Sequence, residues 1–80
     1  MTNRQIDVLR AIASGLSARQ IAEEFKISVN TVNTHIKAMK KLAGVSKARH
    51  LLAVAVSQQI IDMSVYPPRW TGVTRIRPWP

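Results

Sequence analysis

SARQIAEEFKISVNTVNTHIKAMKKLAG, the stretch Ser17–Gly44, reads as two helices joined by a tight connection. Ser17 is an N-cap residue with Gln20 three positions on. In that pattern a hydroxyl and a side-chain amide each satisfy an orphan backbone N–H. Ile21, Ala22 and Phe25 form a short apolar stripe, so a two-turn helix spans about 18–25. Lys26 and Ile27 make the connection, and Ser28 caps a further helix over about 29–43. Val32, Ile36, Met39 and Ala43 recur at i, i+4, i+7 and i+11, which gives that helix one buried face. Asn30, Asn33, Thr34, Lys37 and Lys41 fall on the opposite face. Gly44 stops it. A short bracing helix, a tight connection and a helix with a polar outer face make a helix-turn-helix. The major groove of duplex DNA admits one such helix.

Outward from this unit, Thr2 and Gln5 repeat the capping pattern, and Ile6, Leu9, Ile12 and Ala13 recur at helical spacing up to Gly15. A first helix over about 3–14 follows. On the other side Ser46 is placed to cap a fourth helix, about 47–63. Its segment Leu51–Val56 is apolar all round, and Ile60 and Ile61 continue it. A helix apolar on every side is buried on more than one. The second side meets either another subunit or the C-terminal tail. From Val65 on, four prolines, two tryptophans, Tyr66 and three arginines crowd together, and Pro67-Pro68 forbids helix. The expected architecture is all-α: four helices in a domain of residues 1–63, plus an irregular extension over 64–80.

The charge narrows the partner. Twelve Lys and Arg against four acids leave +8 on 80 residues, which points to a polyanion. The excess is local. Residues 28–50 hold Lys37, Lys40, Lys41, Lys47 and Arg49 with no acid, and the tail holds Arg69, Arg75 and Arg77 with none. No cysteine is present, and His35 and His50 are too far apart for a local metal motif, so no metal and no cofactor is expected. Glu23 and Glu24 are adjacent and diverge around a helix, Asp7 and Asp62 are isolated, and no glycine loop could cradle a phosphate. An enzyme is therefore not expected, nor a small-molecule ligand. The longest apolar run is far short of a bilayer span, and the first residues lack a secretion-signal layout, so a cytoplasmic, nucleoid-associated protein with no membrane role is expected.

The run Met1-Thr2-Asn3-Arg4-Gln5, then Val8-Leu9, Ala13-Ser14-Gly15-Leu16-Ser17, Ile21-Ala22, Ile27-Ser28, Thr31-Val32, His35 and Gly44-Val45 resembles the LuxR/GerE-type DNA-binding domain over about residues 1–63. Gln5 stands where that family usually has Glu, and Ala48 where it often has Arg. The resemblance implies a four-helix domain, a third helix in the major groove and a homodimer formed through the fourth. It puts Asn33, Thr34 and Lys37 on the groove floor as base contacts, with Asn30 either beside them or a first-turn spectator. Asn pairs bidentately with adenine and Lys bonds guanine O6 and N7. Thr31, Lys40, Lys41, Lys47 and Arg49 are the expected phosphate contacts, with Ser28 capping its helix beside one. Leu51, Val54, Gln58 and Ile61 share a face of the fourth helix and are the expected dimer interface. Trp70 is expected to pack on that helix. Trp79 either does the same or belongs to a basic arm, in which Arg69, Arg75 and Arg77 would reach DNA.

The leading expectation is a free-standing regulator of transcription that binds double-stranded DNA sequence-specifically as a dimer. The alternatives are a DNA-recognition subunit of a phage or mobile-element machine (terminase, recombinase or transposase partner) and a polymerase-binding module like region four of sigma factors. The matches at His35 and Gly44-Val45 argue against the last.

Overall fold

A computed structural model describes residues 1–79. The helices begin where the capping chemistry is. Thr2 opens α1 (Asn3–Ala13) and Ser17 opens α2 (Ala18–Phe25), each with the reciprocal bond from its glutamine. The Ser28 hydroxyl accepts the Thr31 N–H and opens α3 (Val29–Ala43). The fourth helix, α4 (Ala48–Ser57), starts after Lys47 with no side-chain cap. Ser46 does not cap it; its carbonyl instead accepts from the Lys40 ammonium at 3.4 Å.

All four helices end in the same way. A residue in the left-handed conformation is followed by an apolar residue whose N–H reaches back five positions, the closure that satisfies the last free carbonyls. The left-handed residues are Gly15, Lys26, Gly44 and Gln59. The bonds run from Leu16 to Ala11, Ile27 to Ala22, Val45 to Lys40 and Ile60 to Ala55, at 2.8–3.1 Å. Two of the four stops are therefore not glycine. The fourth helix accordingly closes at Ser57 rather than near 63. Ile60 and Ile61 leave it and are buried at 0% and 1% exposure.

A non-glycine residue pays a steric cost of about 1–2 kcal/mol in the left-handed region, while glycine gives back about 0.5–1 kcal/mol in unfolded-state entropy. Gln59→Gly is therefore expected to raise the unfolding free energy by about 0.5–1 kcal/mol, and the melting temperature by about 4–8 °C per kcal/mol. The Gln59 side chain is exposed, and its carbonyl, which accepts from the Thr71 hydroxyl, is retained in the variant. A melting temperature equal to or below that of the parent would overturn this account of the helix stop.

Beyond α4 the chain is not irregular throughout. Strands β1 (Ile61–Asp62) and β2 (Arg69–Trp70) pair antiparallel, Ile61 opposite Trp70 and Asp62 opposite Arg69. In the turn between them Asp62 accepts from the Ser64 hydroxyl and N–H, which holds its carboxyl below the ordinary aspartate range. The Arg10 guanidinium bonds the Pro68 carbonyl at 3.4 Å, which ties the turn to α1.

The core explains the rest. Ile6, Val8 and Leu9 of α1, Ile21 and Ala22 of α2, Val32, Met39 and Ala43 of α3, and Leu51, Val54 and Ala55 of α4 are buried together with Ile60, Ile61 and Ile76. One face of the fourth helix, with Leu51, Val54 and Ala55, is thus buried within its own chain, while Ala53 and Val56 on its other side stay exposed. Trp70 is half-buried against this core, with its indole N–H donating to the Val73 carbonyl at 2.8 Å. Leu51, Val54 and Ile61 lie inside the chain, so the face expected to meet a partner is not a surface. That face packs on α3 and α1, and after the early stop at Ser57 the chain turns back so that Ile60, Ile61 and Ile76 join the same core. The side chains that do face outward on α4 are Arg49, His50, Ala53, Val56 and Ser57.

Candidate nucleic-acid interface

Helix α3 carries two stripes with one spacing. Val32, Ile36, Met39 and Ala43 point into the core, although Ile36 is only partly covered. Asn30, Thr34, Lys37 and Lys41 repeat that spacing two residues earlier. Two residues are about 200° of helix, so this second stripe faces directly away from the first. All four are exposed, and Asn33 is exposed on the flank of the same stripe. From Asn30 to Lys41 the stripe runs about 16 Å along the axis. That is the length of four or five base steps at about 3.4 Å each.

Helix α2 and the turn after it fix how this stripe is presented. Ile21 and Ala22 pack beneath α3 in the shared core. Lys26, left-handed at φ 56°, turns the chain so that Ser28, two residues later, caps α3. Arg4 of α1 reaches across to the same turn. Its guanidinium lies 4.4 Å from the centre of the Phe25 ring and donates to the Phe25 carbonyl at 3.4 Å. A cation at the C-terminal end of α2 also suits that end of the helix dipole. Asp7 lies 3.8 Å from the same guanidinium.

The hydrogen bonds divide the polar residues of α3 into two kinds. Ser28 and Thr31 are 2.9 Å apart, oxygen to oxygen, and are engaged in the N-terminal cap. Thr34 donates its hydroxyl proton to the Asn30 carbonyl at 2.9 Å, which leaves its lone pairs and methyl facing out. The side chains of Asn30, Asn33, Lys37 and Lys41 bond no other group among the described residues. Their donors and acceptors are uncommitted, as groups that exchange water for a base edge must be. Lys40 is half-buried and one of its three protons is turned toward Ser46. Lys47 and Arg49 are exposed at the open first turn of α4, which holds no acidic residue. The free N–H groups of a helix start and two cations make that end attractive to an anion.

Asn30, Asn33, Thr34, Lys37 and Lys41 therefore share one exposed side of α3, and Lys47 and Arg49 follow at the start of α4. The expected interface residues do not gather on a surface. Gln58 is tied to the tail: it accepts the Arg77 N–H and donates to the Arg77 carbonyl, both at 2.8 Å. No local signal marks this pairing, because the partners are 19 residues apart. Among the described residues no helix is long and apolar enough to cross a membrane.

Comparison with known proteins agrees with this geometry. The family of bacterial regulatory proteins called the luxR family matches residues 1–55, which hold α1, α2, α3 and most of α4. The HTH-type transcriptional regulator MalT of Klebsiella pneumoniae is 36% identical over 66 residues, covering 82% of this chain and 7% of that protein. The chain thus spans a small fraction of the length of the relative it matches. Helix order, the capped bracing helix and the polar outer face of α3 coincide with the matched region. This chain belongs to the luxR family of bacterial regulatory proteins and carries its DNA-binding helix-turn-helix domain.

Proposed function

We propose that this chain regulates transcription by reading base edges in the major groove with α3. The observation that carries this reading is the outward stripe Asn30, Thr34, Lys37 and Lys41 with Asn33 beside it. It is exposed, free of acid, and uncommitted at Asn30, Asn33, Lys37 and Lys41. Asn33 and Lys37 are one helical turn apart and offer the two side-chain types that pair with adenine and guanine. Lys41, Lys47 and Arg49 neutralise phosphates and set the register, and Lys40 contributes its remaining donors. Ser28 and Thr31 act mainly by holding the first turn of α3 against the backbone.

Two copies bind two half-sites about one helical turn of DNA apart, as paired helix-turn-helix units do. The side of α4 available for such pairing is the outward one, around Ala53 and Val56, and not the buried Leu51, Val54 and Ile61. Selection from a random duplex library at near-physiological salt tests the whole reading. The expected result is a motif of two related half-sites with a fixed spacing. A pool with no enriched motif would overturn sequence reading by α3, and a single unrepeated half-site would overturn the pairing.

A further inference from the structure

The tail after β2 is docked at several points along its course, and most of the bonds run through the main chain. The Met1 amine donates to the Thr74 carbonyl at 2.7 Å. Ile76 is buried, 7% exposed. The main chain of Arg77 is held at both ends by the Gln58 amide. Trp79 donates its backbone N–H to the carbonyl of Ala43, the last residue of α3, at 2.8 Å. In an extended segment neighbouring side chains alternate, so with Ile76 turned inward Arg75 and Arg77 point outward. Both are exposed, and neither is paired with a carboxylate among the described residues.

Their position relative to α3 gives the charge a direction. Arg75, Arg77, Ile76 and Pro78 border one shallow depression with Leu42 and Met1. On α3, Leu42 lies about 100° to one side of Lys41, and Lys40 about 100° to the other. Lys40 leans on the loop that leads to Lys47. The outward stripe is therefore bracketed near its C-terminal end, with Lys40 and Lys47 on one flank and the two arginines on the other. A helix lying in the major groove has a phosphate strand along each flank. Arginine suits phosphate because its planar fork donates two parallel bonds.

We infer that the docked tail is a second clamp on the DNA backbone, in which Arg75 and Arg77 neutralise phosphates of the strand opposite to the one met by Lys40 and Lys47. The inference rests on the groove-reading role of α3 proposed above. It is specific to residues beyond the matched family region, which ends at 55.

The test is a salt titration of duplex binding by the full chain, on the selected site and on an unrelated duplex. Phosphate contacts carry no sequence information, so Arg75→Ala/Arg77→Ala should lower affinity for both duplexes by the same factor, about ten-fold or more at 0.1 M salt. The steepness of log affinity against log salt should fall by about one per arginine. Arg75→Lys/Arg77→Lys keeps the charges and should keep most of the slope. Arg69→Ala is the control for charge alone, because Arg69 stands opposite Asp62 on the strand pair. It should leave the slope at the parent value. The double alanine variant should stay folded, since the Gln58 clasp uses the Arg77 main chain. A slope for the double alanine variant equal to that of Arg69→Ala would overturn the clamp. If the parent shows no preference between the two duplexes, groove reading fails, while the slope on the unrelated duplex still decides the clamp.

Discussion

Leu51→Ala is expected to remove about 2–5 kcal/mol of stability, the range for deleting a fully buried leucine side chain and leaving part of its volume empty. An 80-residue chain at about 0.05–0.15 kcal/mol per residue holds about 4–12 kcal/mol in total. The substitution therefore takes a large share and lowers the melting temperature by about 10 °C or more. Leu51 is 0% exposed within a single chain, in one core with residues of α1 and α3 and with Ile60, Ile61 and Ile76. The loss must for that reason be independent of protein concentration. A residue buried between two subunits behaves differently, because association stabilises by mass action and the effect grows as the protein is concentrated. Val56→Ala is the contrast. Val56 is 39% exposed on the outward side of α4, and its removal should change the stability of the dilute protein by no more than about 0.5 kcal/mol. Urea or thermal melts of both variants across a hundred-fold range of concentration separate the cases. A Leu51→Ala protein that melts with the parent when dilute, and differs only when concentrated, would return Leu51 to an interface.

The contrast between these two residues also marks where the sequence could be read and where it could not. The outer stripe of α3 is legible because its determinants are local. Ser28, Gly44 and an apolar period lie within one segment of 17 residues and fix which side faces out. The end of α4 is not legible, because its stop is a left-handed Gln59, and glutamine carries no such signal. Lys26 makes the same kind of stop, yet the end of α2 can still be read because Ser28 announces the next helix. Misreading one stop inverts a whole face. If α4 runs on to 63, Leu51, Val54 and Ile61 line up on one side and look like an interface. Once it stops at Ser57, Ile61 is on a strand and that side of the helix is the core. That side packs on α3 and α1, and the tail joins the same core through Ile76, set between two arginines in a proline-rich stretch, and through a clasp between Gln58 and Arg77. Neither follows any local pattern, and each depends on pairing between distant segments. In the tail, packing of Trp70 is readable from its size, whereas the docking of the tail against the end of α3 is not.

Asn33→Ala and Lys37→Ala should each weaken binding to the selected site by about 1–3 kcal/mol per half-site, the range for one well-formed pairing with a base edge. Across two half-sites the loss reaches about thirty-fold or more. The two substitutions differ in what they leave behind. Asn33 is neutral, so its removal should flatten the preference at one base position in each half-site while the salt slope stays at the parent value. Lys37 is charged, so its removal should relax the preference at a second position and also lower the slope by about one per copy. Neither loss can be assigned to unfolding. Both side chains are exposed and bond no other group among the described residues, and alanine is the best helix former, so α3 should be as stable or slightly more so. Circular dichroism and a melt on the same samples check this. A site preference unchanged in both variants, with helicity intact, would mean that the stripe from Asn30 to Lys41 is not the reading face. A uniform loss on every duplex, with the preference preserved, would assign Lys37 to the phosphates and leave Asn33 without a role. The discriminating quantity is thus the ratio of affinities for the selected and altered sites, measured at one salt concentration, because the total affinity mixes the base contacts with every lysine and arginine on the surface.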